Sequence, residues 1–421
     1  MKFKKLSAIA LSAFLVTGCS NSGGSEEASQ TDIVTEITEP VEITFWHAMN
    51  GNLEESLKGL TEEFMAANEN ITVTLQNQSS YGDLQQKLTA TSASPSDLPT
   101  MTQAYPHWMV NAIQDELLVD LKPYIEHEEI KFDNYANVME GFKSGSEIDG
   151  KIYGVPFNKS TEVIWYNKTL FEELNLEVPT TFEEFAQVSK TITEKKGIVG
   201  AGFDSLSNYY SAYLKNKGVD FNSELDVTSE ESQEAVNYYL DGIKEGYFRI
   251  AGTDKYLSGP FASETLGMYV GSNAGESFVV SGVDGKFEVG VAPYPAETSM
   301  QQGTDLYVFN NATPEQQTAA YEFLKFLGED ENQVKWASET GYVPATTTAA
   351  ATDEYKTSGS LVAPIMEEAT ASMFMNVVAQ GIDSAYQESA TMLESVLAEP
   401  ETADVKATLE EYKNTLLGIY E

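Results

Sequence analysis

The sequence predicts an α/β fold in two lobes, and three features carry that reading. An alternating stretch, Val41-Glu42-Ile43-Thr44-Phe45-Trp46, is followed by Leu53, Leu57, Leu60 and Phe64 at helical spacing and then by a second alternating stretch, Ile71-Thr72-Val73-Thr74-Leu75. That order is a βαβ unit, which implies a parallel sheet covered by helices. The 421 residues are more than one hydrophobic core organises, and their 42% hydrophobic content is ample for two. Two Pro-containing connections, Gly154-Val155-Pro156-Phe157 and Ala292-Pro293-Tyr294-Pro295, stand as candidate crossovers between the lobes.

The remaining elements follow from caps and periodicity. Asn52 is placed to cap the first helix, with Glu55 as its capping-box partner. Ligands of parallel sheets collect at the carboxyl ends of strands, and the first strand ends in Trp46-His47-Ala48-Met49-Asn50-Gly51. Thr181 caps a helix through Phe182, Phe185, Val188 and Ile192, with Glu184 in the capping-box place. Glu234 to Ile243 is amphipathic, and Thr313-Pro314-Glu315 starts a helix that buries Ala320, Phe323, Leu324 and Leu327. Further amphipathic helices are expected around Ile365 to Met375, Ala385 to Leu397 and Val405 to Ile419. No repeat of fixed period is present.

The N-terminus reads as a processed segment. Lys2, Lys4 and Lys5 precede an apolar run from Leu6 to Val16 that is too short to span a bilayer stably, and Val16-Thr17-Gly18-Cys19 resembles a bacterial lipobox. Residues 1–18 are therefore expected to be a lipoprotein signal peptide and Cys19 the acylated first residue of the mature chain. Diacylation anchors a protein without a transmembrane helix. Residues 19–40, rich in Ser, Gly, Glu and Thr, read as a flexible tether.

Composition excludes several classes. The chain carries 25 Lys+Arg against 65 Asp+Glu, a net charge of −40. Removing the three lysines of residues 1–18 leaves 22 − 65 = −43. Such a surface repels nucleic acid. One Cys excludes a disulfide framework and a thiolate-rich metal site, and three His leave Glu126-His127-Glu128-Glu129 short of a metalloprotease helix. No nucleophile elbow and no phosphate-binding Gly-rich loop is present. Among 65 carboxylates, a glycosidase pair would be invisible in sequence.

What stands out is a set of aromatic residues at element ends and connections: Trp46, Tyr81, Trp108, Trp165, Tyr209, Tyr210, Tyr307, Tyr342 and Tyr386. Tyr and Trp offer an apolar face with a hydrogen-bonding tip, which suits sugars. A buried anion would call for Arg, and the chain has one, Arg249.

Several segments carry a resemblance. These are Phe45 to Met49, Asn158-Lys159-Ser160-Thr161-Glu162-Val163 with Trp165 to Lys168, Val178 to Phe185, Tyr321 to Leu327, Lys335-Trp336 and Gly341-Tyr342-Val343-Pro344-Ala345. In this order and spacing the chain resembles the extracellular solute-binding proteins of bacterial ABC importers, in the carbohydrate-binding group. The resemblance implies a two-lobed, type II periplasmic-binding-protein-like fold with a hinge. We expect lobe 1 at 41–155 with 303–348, and lobe 2 at 156–302 with 349–421.

The resemblance also implies ligand positions at Tyr81, Ser160, Ser272, Gly303 and Tyr342. Where a glycerol-3-phosphate-binding member places a Glu, this chain reads Tyr105-Pro106-His107-Trp108, and where that member grips phosphate with an Arg it has Tyr386. Loss of the guanidinium points to a neutral sugar. Trp108, Tyr81, Tyr342 and Tyr386 are then expected as stacking platforms, and His47, Asn50, Ser160, Ser272 and Thr304 as hydroxyl partners. The expected protein is a monomeric, non-enzymatic sugar-capture protein without cofactor or metal. It would sit on the outer face of the cytoplasmic membrane of a Gram-positive cell, anchored in the bilayer at Cys19, and feed ABC importer permease subunits. A glycerol-3-phosphate or glycerophosphodiester carrier of the same fold, a surface glycoside hydrolase and an adhesive lipoprotein remain the alternatives.

Overall fold

The computed structural model describes residues 33–421. The expected signal peptide at 1–18, Cys19 and the tether as far as residue 32 lie outside the described residues. The last part of the expected tether, Ile33 to Pro40, lies along the body. Ile33 and Ile37 pack on the core, the Val34 carbonyl accepts from Thr318 Oγ1 at 2.6 Å, and the Ile37 carbonyl accepts from Asn70 Nδ2 at 3.0 Å. Its β-branched side chains supply the apolar surface that the Ser/Gly-rich stretch before it lacks.

The βαβ unit is present as β1 (Val41–His47), α1 (Asn52–Ala67) and β2 (Ile71–Asn77), with β1 and β2 parallel. The start of α1 differs from expectation. Its N-cap is Gly51 at φ +56° with no side-chain cap, because the Asn52 amide is drawn to the distant Glu339 carbonyl at 2.8 Å. Ser80 caps α2 (Tyr81–Ser92), and β3 (Met101–Ala104) joins β1.

The long strand β4 (Gly154–Asn167) follows, then α3 (Phe182–Lys196), capped by Thr181. The Glu184 carboxylate turns to Thr180 instead of closing a capping box. Next come β5 (Ala201–Phe203), α4 (Leu206–Asn216), α5 (Glu230–Lys244), β6 (Phe248–Ile250), β7 (Met268–Ser272), β8 (Val289–Pro293) and β9 (Ser299–Val308). The chain ends in α6 (Pro314–Gly328), α7 (Asp330–Thr340), α8 (Ile382–Ala398) and α9 (Val405–Tyr420). Thr313 and Gln316 form a complete capping box on α6.

The strands run in the order β2-β1-β3-β9-β4-β7-β5-β6, with β8 also paired to β4. Two antiparallel strands, β4 and β9, tie the halves together. The first part of β4 pairs with β9, which pairs with β3; the second part pairs with β7 and β8. The register shifts between Thr304 and Asp305, so the crossing carries a bulge.

Two expectations are corrected here. The second crossover is β9 and not Ala292 to Pro295, because Ala292 and Pro293 pair with Ile164 and Val163 inside one half. The helix expected around Ile365 to Met375 is reduced to short turns at Ala363–Ile365 and Met366–Ala369, since Met373 and Phe374 are drawn into pairing with Ser299 and Met300 of β9.

One apolar cluster gathers β1, α1 and α6 through Phe45, Leu57, Phe64, Phe323 and Leu324, and extends to Leu257, Phe261 and Val279. Another gathers α3, α4, α5, α8 and α9 through Phe185, Tyr209, Tyr239, Leu393 and Leu416. Among the described residues no helix is long and apolar enough to cross a membrane.

Candidate functional site

Alternation divides β4 between two faces. On one face the Lys159 ammonium pairs with the Asp305 carboxylate, Thr161 Oγ1 bonds Ser299 Oγ at 2.9 Å, and Val163 and Trp165 enter the apolar core. The other face carries Asn158, Ser160 and Glu162, all buried, before Ile164 on the same face enters the second apolar core. These three polar residues form a strip that runs along the crossing strand from one half of the molecule to the other.

At the first end of the strip, Asn158 Nδ2 donates to the Tyr81 hydroxyl at 3.1 Å, and its Oδ1 accepts from Thr304 Oγ1 at 2.6 Å. The Tyr81 hydroxyl in turn meets that of Tyr342 at 3.1 Å. The Tyr342 ring stacks on Trp336 at 5.6 Å, and Trp336 stacks on Phe157. Gly303 lets β9 approach: at φ +97° it would, with a Cβ, come within 2.1 Å of the Asn158 carbonyl oxygen.

At the other end, Glu162 Oε1 accepts from Asn208 Nδ2 at 2.8 Å, while Asn208 Oδ1 accepts from the Tyr386 hydroxyl. Glu162 Oε2 is buried without a hydrogen-bond partner among the described residues. Burial pushes this carboxyl up to about 8, the Asn208 amide opposes the rise, and the nearby Asp204 adds to it. Asp204, at the carboxyl end of β5, is itself pushed up to about 7 by burial, although it accepts the Leu257 N–H at 2.6 Å.

An aromatic wall faces the strip. Tyr81, Tyr105 and Trp108 contact one another at ring separations of 5.4 Å (Tyr81–Tyr105) and 5.0 Å (Tyr105–Trp108). Tyr105 reaches His107 at 5.5 Å, and His107 reaches Tyr386 at 6.3 Å. The two halves also meet through polar groups. His107 Nε2 lies 3.1 Å from Asp383 Oδ1, and Gln85 Nε2 donates to Asp383 Oδ2 at 2.6 Å. Burial raises the Asp383 carboxyl, but His107 and Gln85 together hold it below its ordinary value.

The structure brings together Tyr81, Trp108, Ser160, Gly303, Thr304, Tyr342 and Tyr386 of the expected site residues. Ser272 pairs with Glu162 across β4 and β7, its Oγ accepting the Ala274 N–H at 3.2 Å. His47 and Asn50 have other work. His47 is fully buried, its Nδ1 accepts the Met49 N–H at 3.3 Å, and burial pushes it down to about 4. Asn50 donates to the Ala48 and Ser79 carbonyls, shaping the turn after β1. Trp165, Tyr209, Tyr210 and Tyr307 are core residues.

Sequence reasoning missed Asn158, Glu162, Tyr105, His107, Asn208 and Asp383. The alternation Asn158, Ser160, Glu162 was the available signal for the first two. No group of three His, Cys, Asp or Glu is placed to hold a metal among the described residues, and His127 is occupied with the Glu129 N–H. A concavity of about 520 Å³ lies beside Arg249, whose guanidinium pairs with Asp254. Its lining includes Tyr256, which bears electrostatically on Tyr105, but the convergent polar groups lie along β4.

A family model described as bacterial extracellular solute-binding protein matches residues 59–363. The sn-glycerol-3-phosphate-binding periplasmic protein UgpB of Escherichia coli (strain K12) is 25% identical over 329 residues, 72% of this chain and 74% of that protein. UgpB of Mycobacterium tuberculosis, solved in complex with glycerophosphocholine, superposes with a TM-score of 0.79 at 20% identity, covering 90% of this chain and 98% of that one. The cyclic alpha-maltosyl-1,6-maltose binding protein of Arthrobacter globiformis superposes with a TM-score of 0.72 at 25% identity, covering 90% and 99%. These likenesses establish the expected two-lobed, periplasmic-binding-protein-like α/β fold with its hinge.

Proposed function

The chain belongs to the bacterial extracellular solute-binding protein family, and on that premise we propose that it captures a carbohydrate, a non-anionic mono- or oligosaccharide, and hands it to an ABC importer. The observation that carries the proposal is the strip on β4. Its polar groups reach into both halves under an aromatic wall drawn from α2, the Tyr105–Trp108 segment, the Tyr342 loop and α8. Rings stack on sugar C–H faces while amides and hydroxyls pair with sugar hydroxyls.

Lobe 1 is taken as 41–155 with 303–348, and lobe 2 as 156–302 with 349–421, hinged where β4 and β9 cross. An open form exposes the strip. A ligand touching both lobes has differential affinity for the closed form and shifts the population toward it, and the His107–Asp383 contact then helps hold closure. The closed protein docks on permease subunits as a monomer. The protein binds and releases its ligand unchanged: no bond of the ligand is broken, and no cofactor or metal takes part.

Tyr81, Trp108, Tyr342 and Tyr386 are the proposed stacking residues, and Ser160, Ser272 and Thr304 the hydroxyl partners. His47 and Asn50 would act by shaping the loop after β1. Acylation at Cys19 would hold the protein on the outer face of the membrane of a Gram-positive cell. The names of relatives favour one second reading, a glycerophosphodiester or glycerol-3-phosphate carrier. Against it stands the lone Arg249, already paired with Asp254.

Thermal-shift titration separates the two, because a ligand of the native state must stabilise it. Neutral saccharides should raise the transition and sn-glycerol 3-phosphate should not; a response to sn-glycerol 3-phosphate alone overturns the carbohydrate reading.

A further inference from the structure

We propose that the ligand carries a cationic nitrogen, a protonated amine or a quaternary ammonium, seated against Glu162 at the lobe 2 end of the strip; this rests on reading the strip as the ligand site. Glu162 is 2% exposed, and it shares its face of β4 with Asn158 and Ser160 on one side and with the core residue Ile164 on the other, so it stands where the polar strip meets the second apolar core. One oxygen is held by Asn208. The other has no hydrogen-bond partner among the described residues.

The surrounding charges decide what would complete it. Lys159, on the same strand as Glu162, points to the opposite face and is paired with Asp305. His107 is engaged by Asp383, and Arg249 by Asp254. Asp204 stands close enough to Glu162 to oppose its ionisation, so this end of the strip holds two carboxyls without an ion-pair partner among the described residues. Burial keeps the Glu162 proton on near neutral pH, so a neutral sugar group would leave the carboxyl uncharged. A cationic nitrogen, with or without a donor, would displace that proton and pair with the carboxylate, since a buried charge is retained only when paired.

The aromatic setting agrees. The Tyr386 hydroxyl is bound to the same Asn208, and its ring neighbours His107, which neighbours Tyr105, so aromatic rings stand beside the Glu162 end of the strip. Ring faces attract cations, and more strongly when water is excluded.

The test is calorimetric titration of the purified mature protein with two matched pairs of probes: cellobiose against the glucosamine dimer, and sn-glycerol 3-phosphate against glycerophosphocholine. The cation-bearing member of a pair should bind at least about tenfold tighter, as expected for a desolvated cation against a carboxylate and rings. Glu162→Gln should bring that ratio close to one, and Asp204→Asn should lower it part of the way. The wild-type ratio needs no variant, so a misfolded substitution does not rescue the idea. A ratio near one in the wild type while cellobiose binds overturns the cation and leaves the carbohydrate reading standing. Binding of glycerophosphocholine with neither saccharide bound supports the cation and overturns the carbohydrate. Absence of binding by all four probes counts against both.

Discussion

Replacing Gly303 by Ala isolates the close approach on which the hinge geometry rests. Two costs add. At φ +97° an L residue is strained, by about 1–2 kcal/mol. The new Cβ would also lie 2.1 Å from the Asn158 carbonyl oxygen and 2.8 Å from Lys159 Cα. Both atoms are backbone, so no side chain can swing away and β4 itself must shift, an overpacking cost of about 1–3 kcal/mol. The expected loss is about 2–5 kcal/mol in urea unfolding followed by circular dichroism. Gly285 provides the control: its φ is +72° with nothing within 4 Å of a Cβ, so Gly285→Ala carries only the backbone part. The difference between the two variants should be about 1–3 kcal/mol. Because the shift displaces Asn158 from Tyr81 and Thr304, saccharide affinity should fall with it. A difference below about 0.5 kcal/mol, within the usual effect of an inconspicuous substitution, would show that the contact between β9 and β4 is not as tight as these distances require.

Further predictions follow from buried charge, chain entropy and the N-terminus. His47 titrates at about 4 in the folded chain against 6.5 ordinarily, so between those values the unfolded chain holds the extra proton and stability falls as pH drops through that window. His47→Gln should flatten the fall, and an unchanged pH profile would show that His47 is not its source. Glu162 has the opposite sign: raised from 4.5 to about 8, it makes the folded chain hold the extra proton, so stability falls as pH rises from 4.5 to 8. In the absence of ligand, Glu162→Gln should therefore raise the melting temperature at pH 8, with the gap closing near pH 4.5; a lowered melting temperature at pH 8 contradicts the burial argument. Asp383→Asn should weaken saccharide binding about fivefold, roughly 1 kcal/mol for a half-buried pair; unchanged affinity in calorimetry would remove the His107–Asp383 contact from closure. Gly59, inside α1 with open space at its Cβ, should gain about 1 kcal/mol on Gly59→Ala, read from urea unfolding. Cys19→Ala should release the protein from cells into the medium, and retention in the membrane fraction would remove the anchor.

What was legible in the sequence is what short-range chemistry decides. The βαβ opening follows from alternation and helical spacing, and the caps at Thr181 and Thr313 from their own first turns. Failures came where a distant partner intervened. Asn52 gave up its capping role for the Glu339 carbonyl, and Met373 with Phe374 left a helical pattern to pair with β9. The same limit governs the site. Residue type marks Trp165, Tyr209, Tyr210 and Tyr307 as cleft candidates, yet which side of an element faces the core is a tertiary fact, and all four are buried in it. Glu162 escapes notice although Ser160, two residues before it, does not. Alternation puts both on one face, but only the Asn158–Tyr81 bond brings that face against the aromatic wall.

Reversible capture of a carbohydrate in the strip along β4 is the proposal on which the rest depends. Its sharpest test is equilibrium titration of the mature protein with a saccharide panel, followed by mass spectrometry of the recovered ligand. At least one saccharide should bind saturably, lose that binding on Asn158→Ala, and be returned intact. Binding of sn-glycerol 3-phosphate with no saccharide bound, or a saccharide returned cleaved, would contradict it.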